Sequence, residues 1–272
     1  MRAILLAAGR GRRLEASGWV QPKCLLPFQD TTILDNMLDA LVRYGVTDVT
    51  LVVGYMQELI HAAIERRGDV RASWVQNPDF ETTNTINSLW RAREFMDEDF
   101  LYFNADVLFH PDVVGRLMAG SGTLLAVDHK SCAEEEVKVV QDEQGRIREI
   151  GKKLDPARCA GEFIGIARFE RALNADFVRS LERHNVELGN VDLFFEAALH
   201  DILEAHDVRE VDVSDLPAIE IDFPDDLEEA RRAVAPRILD QGDAGRAPEG
   251  RRRGDATAGG GPVADGEELG ST

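Results

Sequence analysis

The sequence predicts a Rossmann-like α/β fold, in which a mostly parallel sheet carries helices on both faces and gains an antiparallel section in its second half. Three observations carry this expectation. Residues 3–8 and 49–53 are short, almost wholly apolar runs, the pattern of strands buried on both faces. Apolar residues at helical spacing separate such runs as far as Met118, and strand–helix alternation implies right-handed crossovers into a parallel sheet. From Thr123 the pattern turns strand-rich before helices return.

In chain order, Ile33, Leu34, Met37, Leu38, Leu41 and Val42 mark a first helix that Gly45 stops. Strand 49–53 follows, then a helix through Leu59, Ile60 and Ala63 and a third strand at 70–75. Residues 84–96 read as helix, and 100–103 as a strand running into Asn104-Ala105-Asp106. A helix at 111–118 has proline in its first turn. Strands are expected at 124–127, 137–140, 146–150 and 163–169, with Gln144-Gly145 turning a hairpin. Helices at 172–183 and 192–205, a strand at 208–213 and a helix at 224–234 complete one domain, residues 1–235. Residues 236–272 have the Gly-, Ala-, Arg-, Asp- and Pro-rich composition of a disordered tail, and Arg251-Arg252-Arg253 within it reads as a solvated charge run.

A chain of 272 residues with 44% hydrophobic content can bury a large core. No stretch approaches the roughly 20 apolar residues that span a bilayer, and the N-terminus enters a strand at once, without the layout of a signal peptide. A cytoplasmic protein with no membrane partner is expected. The three cysteines, Cys24, Cys132 and Cys159, are too few and too scattered for a disulfide framework or a zinc site and read as buried thiols. The formal charge of −19 argues against nucleic acid as a partner. It also repels anionic nucleotides, so a nucleotide site must supply local cations and a metal.

Residues 3–28 supply such cations. The first strand runs into Gly9-Arg10-Gly11-Arg12-Arg13, and Pro22-Lys23 precedes a second apolar run at 24–28 expected to be a strand. Glycines 9 and 11 permit a tight turn close to a ligand, and successive backbone N–H groups in such a turn form an anion nest. Arg12, Arg13 and Lys23 add positive charge where a polyphosphate would lie. Neither G-x-G-x-x-G nor G-x-x-x-x-G-K-[ST] is present, which excludes the dinucleotide fingerprint and the Walker loop. Farther on, Asn77, Asn84 and Ser88 gather where a helix begins after the third strand. Asp106 follows a parallel strand at the carboxyl edge of the sheet, where open α/β folds bind ligands. Glu220 and Asp222 alternate with isoleucines, so as strand neighbours they share a face.

Leu6 to Leu14 and Pro22 to Pro27 match L-A-A-G-x-G-x-R-L and P-K-x-L-L-P, the signature of the sugar-nucleotidyltransferase superfamily. Arg12 stands where that family often has a small hydroxyl residue. Asn77-Pro78, Thr83 to Leu89 and Glu220 to Leu227 resemble the N-P-x-F, T-N-N-x-x-S-L and E-I-D-x-P-x-D-L segments of bacterial phosphocholine cytidylyltransferases and related phosphonate cytidylyltransferases, with Thr85 replacing the second asparagine. The resemblance spans about residues 3–232. It implies transfer of CMP from CTP to a small phosphorylated or phosphonate acceptor, with release of pyrophosphate. Arg13 and Lys23 would be catalytic, and Ala7, Ala8, Gly9, Gly11, Arg12, Asn77, Asn84 and Ser88 would bind the nucleotide. Asp106 and Asp222 would hold Mg²⁺, which suits one or two carboxylates plus phosphate oxygens.

Lys152, Glu162, Asp192, Phe194 and Glu220 would face the acceptor. Residues 190–196 resemble the family's G-x-F-V-D-L-Y-W-D choline segment, but phenylalanines replace tyrosine and tryptophan. That exchange weakens a cage for quaternary ammonium and admits a primary amine held by Asp192 or Glu196, or an uncharged hydroxyalkyl phosphonate. A nucleotidyltransferase for a sugar or inositol phosphate, or a non-catalytic nucleotide-binding protein, remains the alternative, since the glycine loop is shared across the superfamily. Oligomeric state is not legible.

Overall fold

A computed structural model describes residues 1–239. The central sheet has nine strands. Arg2–Ala7 lies between Asp48–Val53 and Phe100–Asn104, and Arg71–Gln76 flanks Asp48–Val53, all in parallel register. Gly161–Phe169 then runs antiparallel to Phe100–Asn104 and begins the expected antiparallel section. This long strand also pairs with Thr123–Asp128 and, near its start, with Lys138–Gln141. Val208–Asp212 is a parallel outer neighbour of Thr123–Asp128. Gly165 breaks the register at φ +77°, and any Cβ there would strike Asn104; glycine is required for this bulge.

Helices cover both faces. Ile33–Arg43, Gln57–Glu65 and Asp112–Ala119 bury Leu38, Leu41, Ile60 and Val113 against one face, while Thr85–Arg91, Arg171–Glu182 and Glu196–His200 bury Leu89, Phe177 and Leu199 against the other. Thr32 and Asp35 close a capping box on the first helix. The hairpin of Lys138–Gln141 and Ile147–Gly151 turns at Gly145, φ +73°, with Asp142 Oδ1 accepting from the Gln144 and Arg146 N–H groups.

Several expectations need correction. Residues 24–28 are not a strand: Lys23–Leu25 is one 3₁₀ turn and only Pro27–Phe28 pairs, with Thr31–Thr32. Prolines 22 and 27 fix φ and lack N–H donors, so the run between them bends. The helix expected at 192–205 is confined to Glu196–His200. Its expected first turn instead gives the Val191 and Leu193 carbonyls to the Asn84 and Ile86 N–H groups, satisfying the start of Thr85–Arg91. Cys24 is buried, but Cys132 and Cys159 are partly exposed; all three are free thiols.

A third core joins Leu14, Leu26, Phe28 and Leu108 to Ile221, Leu227, Ala230, Val234 and Ile238. It clamps the C-terminal helical segment over the turn after Gly11. Helical structure runs through Ala235–Leu239, past the boundary expected at 235, and the rest of the expected tail lies outside the described residues. No helix among the described residues is long and apolar enough to cross a membrane. Replacing Ile238 with alanine is expected to destabilise the fold by about 2–4 kcal/mol through the cavity left in this core, which thermal or urea unfolding would measure.

Candidate active site

Strand Arg2–Ala7 delivers Ala8 and Gly9 to the carboxyl edge of the sheet, and Gly11 turns the chain at φ +66°. A Cβ on Gly11 would sit 2.9 Å from Lys23 Cγ, so the missing side chain is what lets Lys23 lie across the loop. Lys23 Nζ donates to Asp106 Oδ2 at 3.0 Å and also to Asp222 Oδ1. Arg13 Nη1 donates to Asp222 Oδ2 at 3.2 Å, with its guanidinium 4.8 Å from the centre of the Phe223 ring.

Asp106 and Asp222, far apart in sequence, meet through a two-stranded sheet. Val107–Phe109 pairs with Ala218–Glu220, placing Glu220 opposite Val107, and the Ile221 N–H donates to the Asp106 carbonyl at 3.0 Å. Glu220 completes the cluster: Asp106, Glu220 and Asp222 each offer an oxygen within 4.8 Å of the others. Burial raises the Glu220 carboxyl well above its ordinary range, and the charges of Asp106 and Asp222 raise it further. Burial also pushes Asp222 upward, but Lys23 and Arg13 outweigh it and hold that carboxyl below its usual range. For Lys23 burial favours the neutral amine, yet the two aspartates prevail and raise its pKa. Three crowded carboxylates, all oxygen donors, fit a hard divalent cation.

These groups open into a cleft of about 280 Å³. Ala8, Gly9, Arg13 and Lys23 form one side, Asn77, Asn84 and Ser88 another, and Lys152, Phe194, Glu220, Asp106 and Asp222 the remainder. Ala7 and Gly11 line a smaller recess beside Lys23. The Asn77 amide donates to Thr83 Oγ1 and Ser88 Oγ, both at 3.0 Å, while Asn84 Oδ1 accepts from the Thr85 N–H at 2.8 Å. This wall is therefore a hydrogen-bonded unit, and the helix-start N–H groups of Thr85 and Ile86 are engaged within the protein. Lys152 Nζ rests 4.4 Å from the centre of the Phe194 ring, facing the acidic cluster across the cleft.

Three expected residues lie elsewhere. Arg12 is 62% exposed and turns out to Glu81 at 3.5 Å. Glu162 lines a neighbouring pocket that shares Glu220 and Asp222 with the cleft, and it is paired with Lys130 at 2.6 Å. Asp192 lies in a turn, not at a helix start, on the exposed rim of a third pocket of about 550 Å³. Lys152 and Phe194 separate that pocket from the cleft, and Lys153 faces it too. Phe195 is buried in the core. Glu196 also lines this pocket; its Oε2 is buried without a hydrogen-bond partner, and burial raises its pKa to about 7. Sequence reasoning missed Phe80 in the cleft wall and Lys130 as the partner of Glu162. Phe80 stood within the Asn77-Pro78 motif, whereas nothing near Lys130 in sequence signals its partner.

A glycine loop with Arg13 and Lys23 beside a carboxylate cluster suits a nucleotide-handling enzyme, and residues 3–157 match the MobA-like NTP transferase domain. This chain belongs to that family. Among curated relatives, the CMP-5'-(3-aminopropyl)phosphonate synthase of Streptomyces rubellomurinus is 32% identical over 87% of this NTP transferase, which spans 39% of that protein's length. The CTP:phosphoglutamine cytidylyltransferase of Campylobacter jejuni is 24% identical over 84% of the chain and 98% of the relative. The structure of CTP:phosphocholine cytidylyltransferase from Streptococcus pneumoniae superimposes with a TM-score of 0.72 at 21% identity, covering 85% of this chain and 97% of that one. The inositol-1-phosphate CTP transferase from T. maritima gives 0.73 at 22% identity, covering 87% and 95%. At such identities the two structures establish the shared fold.

Replacing Gly11 with alanine forces a Cβ onto a left-handed backbone, at about 1–2 kcal/mol, and pushes Lys23 off its path. Turnover is expected to fall at least about tenfold while the protein stays folded; steady-state kinetics with circular dichroism would check both.

Proposed function

We propose that this NTP transferase moves CMP from CTP to a small phosphonate or phosphorylated acceptor and releases pyrophosphate. One observation carries the reading: Lys23 and Arg13 converge on the carboxylates of Asp106 and Asp222 at the mouth of the glycine loop, with Lys152 across the same cleft. Relatives named for CTP and phosphonate acceptors support the choice of substrates.

An acceptor oxygen would attack the α-phosphorus in line, forming one P–O bond while the bond to the pyrophosphate oxygen breaks. A phosphonate or phosphate dianion is already a competent nucleophile, so no covalent protein intermediate is needed and the residues align and neutralise. The Ala8–Gly11 amides and Arg13 bind the β- and γ-phosphates, and Lys23 lies where charge grows on the α-phosphate. Asn77, Asn84 and Ser88 line the nucleoside side, and Lys152 draws in the acceptor's anionic end. Asp106 and Asp222, with Glu220 beside them, would hold Mg²⁺, which when bound supplies Lewis-acid stabilisation of phosphate charge. Free thiols suit a reducing compartment, and we place the activity in the cytoplasm.

The third pocket supports an acceptor with an amine. Beyond Lys152 and Phe194 it offers Asp192 and the unpartnered Glu196 oxygen, a carboxylate that an alkylammonium would satisfy. Relatives named for aminopropyl- and aminoethylphosphonate fit this arrangement.

Asp222→Asn is expected to lower turnover about a hundredfold or more at saturating Mg²⁺; near-normal rates would remove it from the metal site. A pyrophosphate-release screen of CTP, ATP, GTP and UTP against 2-aminoethylphosphonate, 3-aminopropylphosphonate, phosphocholine, inositol 1-phosphate and glucose 1-phosphate tests the whole reading. CTP with an amine-bearing acceptor should exceed every sugar or inositol phosphate at least about tenfold, and a preference for inositol 1-phosphate would replace the proposal.

Glu196 adds a pH signature. Its folded pKa of about 7 lies above the ordinary 4.5, so the unfolded chain ionises first as pH rises. The resulting destabilisation begins above about pH 4.5 and is complete above about pH 7. Glu196→Gln should therefore be more stable than the wild type at pH 8, by on the order of a few kcal/mol, and match it near pH 4. Acceptor KM in the wild type should fall from pH 6 to 8 as the carboxylate ionises, and Glu196→Gln should reduce that fall to the part caused by the acceptor's own second ionisation. Unfolding curves and kinetics at several pH values read the two effects.

A further inference from the structure

Lys138 is 1% exposed, a lysine sunk in the antiparallel section where long cationic side chains are rare. Among the described residues no carboxylate lies within ion-pair distance of it. Its ammonium instead donates to three backbone carbonyls: Glu134 at 3.0 Å, Glu136 at 3.1 Å and Lys152 at 2.7 Å. All three N–H donors are thus used, and taking an ammonium out of water is tolerated only with bonds of this charge-assisted kind.

The three carbonyls belong to two segments, each of which lines a pocket that includes Glu220 and Asp222. Lys152 ends the hairpin arm and reaches into the cleft, with its Nζ against Phe194. Glu134 and Glu136 belong to the loop before the Lys138 strand, whose Glu136 carboxylate accepts from the Ala133 N–H at 2.5 Å and meets Lys130 at 3.2 Å. Lys130 in turn pairs with Glu162 in the pocket that shares Glu220 and Asp222 with the cleft. Lys138 also occupies a central register position, opposite Gly151 on one neighbouring strand and Glu162 on the other.

We infer that Lys138 is a positioning residue for the acceptor: by gripping the main chain at Lys152 and at 134–136 together, it fixes the Lys152 ammonium and the Lys130–Glu136–Glu162 wall, which line the two pockets that share Glu220 and Asp222. The nucleotide side receives nothing from it, since Gly9, Gly11, Lys23 and Asn77 are held by other elements. Its kinetic consequence rests on the acceptor role proposed for Lys152, whereas the grip itself stands on geometry alone.

Lys138→Met keeps the length of the side chain and removes the donors; Lys138→Ala opens a space that an added alkylammonium ion can enter. Both would be made in the full chain and assayed with CTP and 2-aminoethylphosphonate, or with whichever acceptor the wild type uses best. The expected result is a rise of about tenfold or more in acceptor KM with CTP KM unchanged within about twofold. Hydrogen exchange in the free variants should quicken at 130–137 and 150–154 together, but not at 7–13, and propylammonium chloride should restore part of the acceptor affinity of Lys138→Ala. Both KM values rising in parallel, an unchanged acceptor KM, faster exchange confined to one of the two segments, or failure of both variants to fold would overturn the assignment. A wild type that turns over no phosphonate or phosphate acceptor with CTP refutes the proposed reaction instead, and the exchange measurement still decides whether Lys138 ties the two segments.

Discussion

The ammonium of Lys23 held between Asp106 and Asp222 is the interaction on which the reaction centre depends. Asp106, Glu220 and Asp222 place three oxygens within 4.8 Å of one another, and like charges at about 4 Å repel by about 4 kcal/mol each in a partly screened site. Without local cations that cluster would spread or take up protons. Lys23, aided by Arg13, offsets the repulsion, and much of the neighbouring chain exists to put Lys23 there. Gly11 clears its path, the 3₁₀ turn between two prolines sets its direction, and the third core pins the Asp222 segment over it.

The same arrangement explains how a chain with a formal charge of −19 can take a polyphosphate ligand. Among the described residues most acids reach the surface, where solvent and salt screen them. Arg13, Lys23 and Lys152 are instead concentrated around one cleft whose low-dielectric walls strengthen their field. The two segments beside the proposed acceptor side are joined by Lys138, a buried cation with no carboxylate partner among the described residues, which acts through backbone carbonyls. One lysine thus organises the carboxylates and another the backbone beside them.

How far a motif could be read depended on how local its chemistry is. Glycine 11 at positive φ, the hairpin turn at Gly145 and the strand-to-aspartate junction at Asp106 emerged as their sequences suggested, because each is decided by a few neighbouring residues. The segment 191–195 did not. Its local pattern suits a helix start, yet its carbonyls cap another helix a hundred residues earlier in the chain, and the tertiary demand of those open N–H groups prevails over propensity. Arg12 failed for a related reason: it stands beside Arg13 in sequence, but the 3₁₀ turn sends adjacent side chains in different directions, one to Glu81 and one to Asp222.

By itself the sequence determined the alternating strand and helix order, the glycine loop, the joint presence of Arg13, Lys23, Asp106 and Asp222 as a family pattern, and the alternation that puts Glu220 and Asp222 on one side. These follow from side-chain periodicity and from backbone freedom at single residues. Only the tertiary structure decided that Glu220 joins the carboxylate cluster, that Glu162 faces Lys130 in a separate pocket, that Glu196 is buried beyond Phe194 with an unsatisfied oxygen, and that Lys138 holds two segments together. Each depends on contacts between strands or loops far apart in the chain, and on burial, which sets the cost of an unpaired charge and cannot be read from spacing along a sequence.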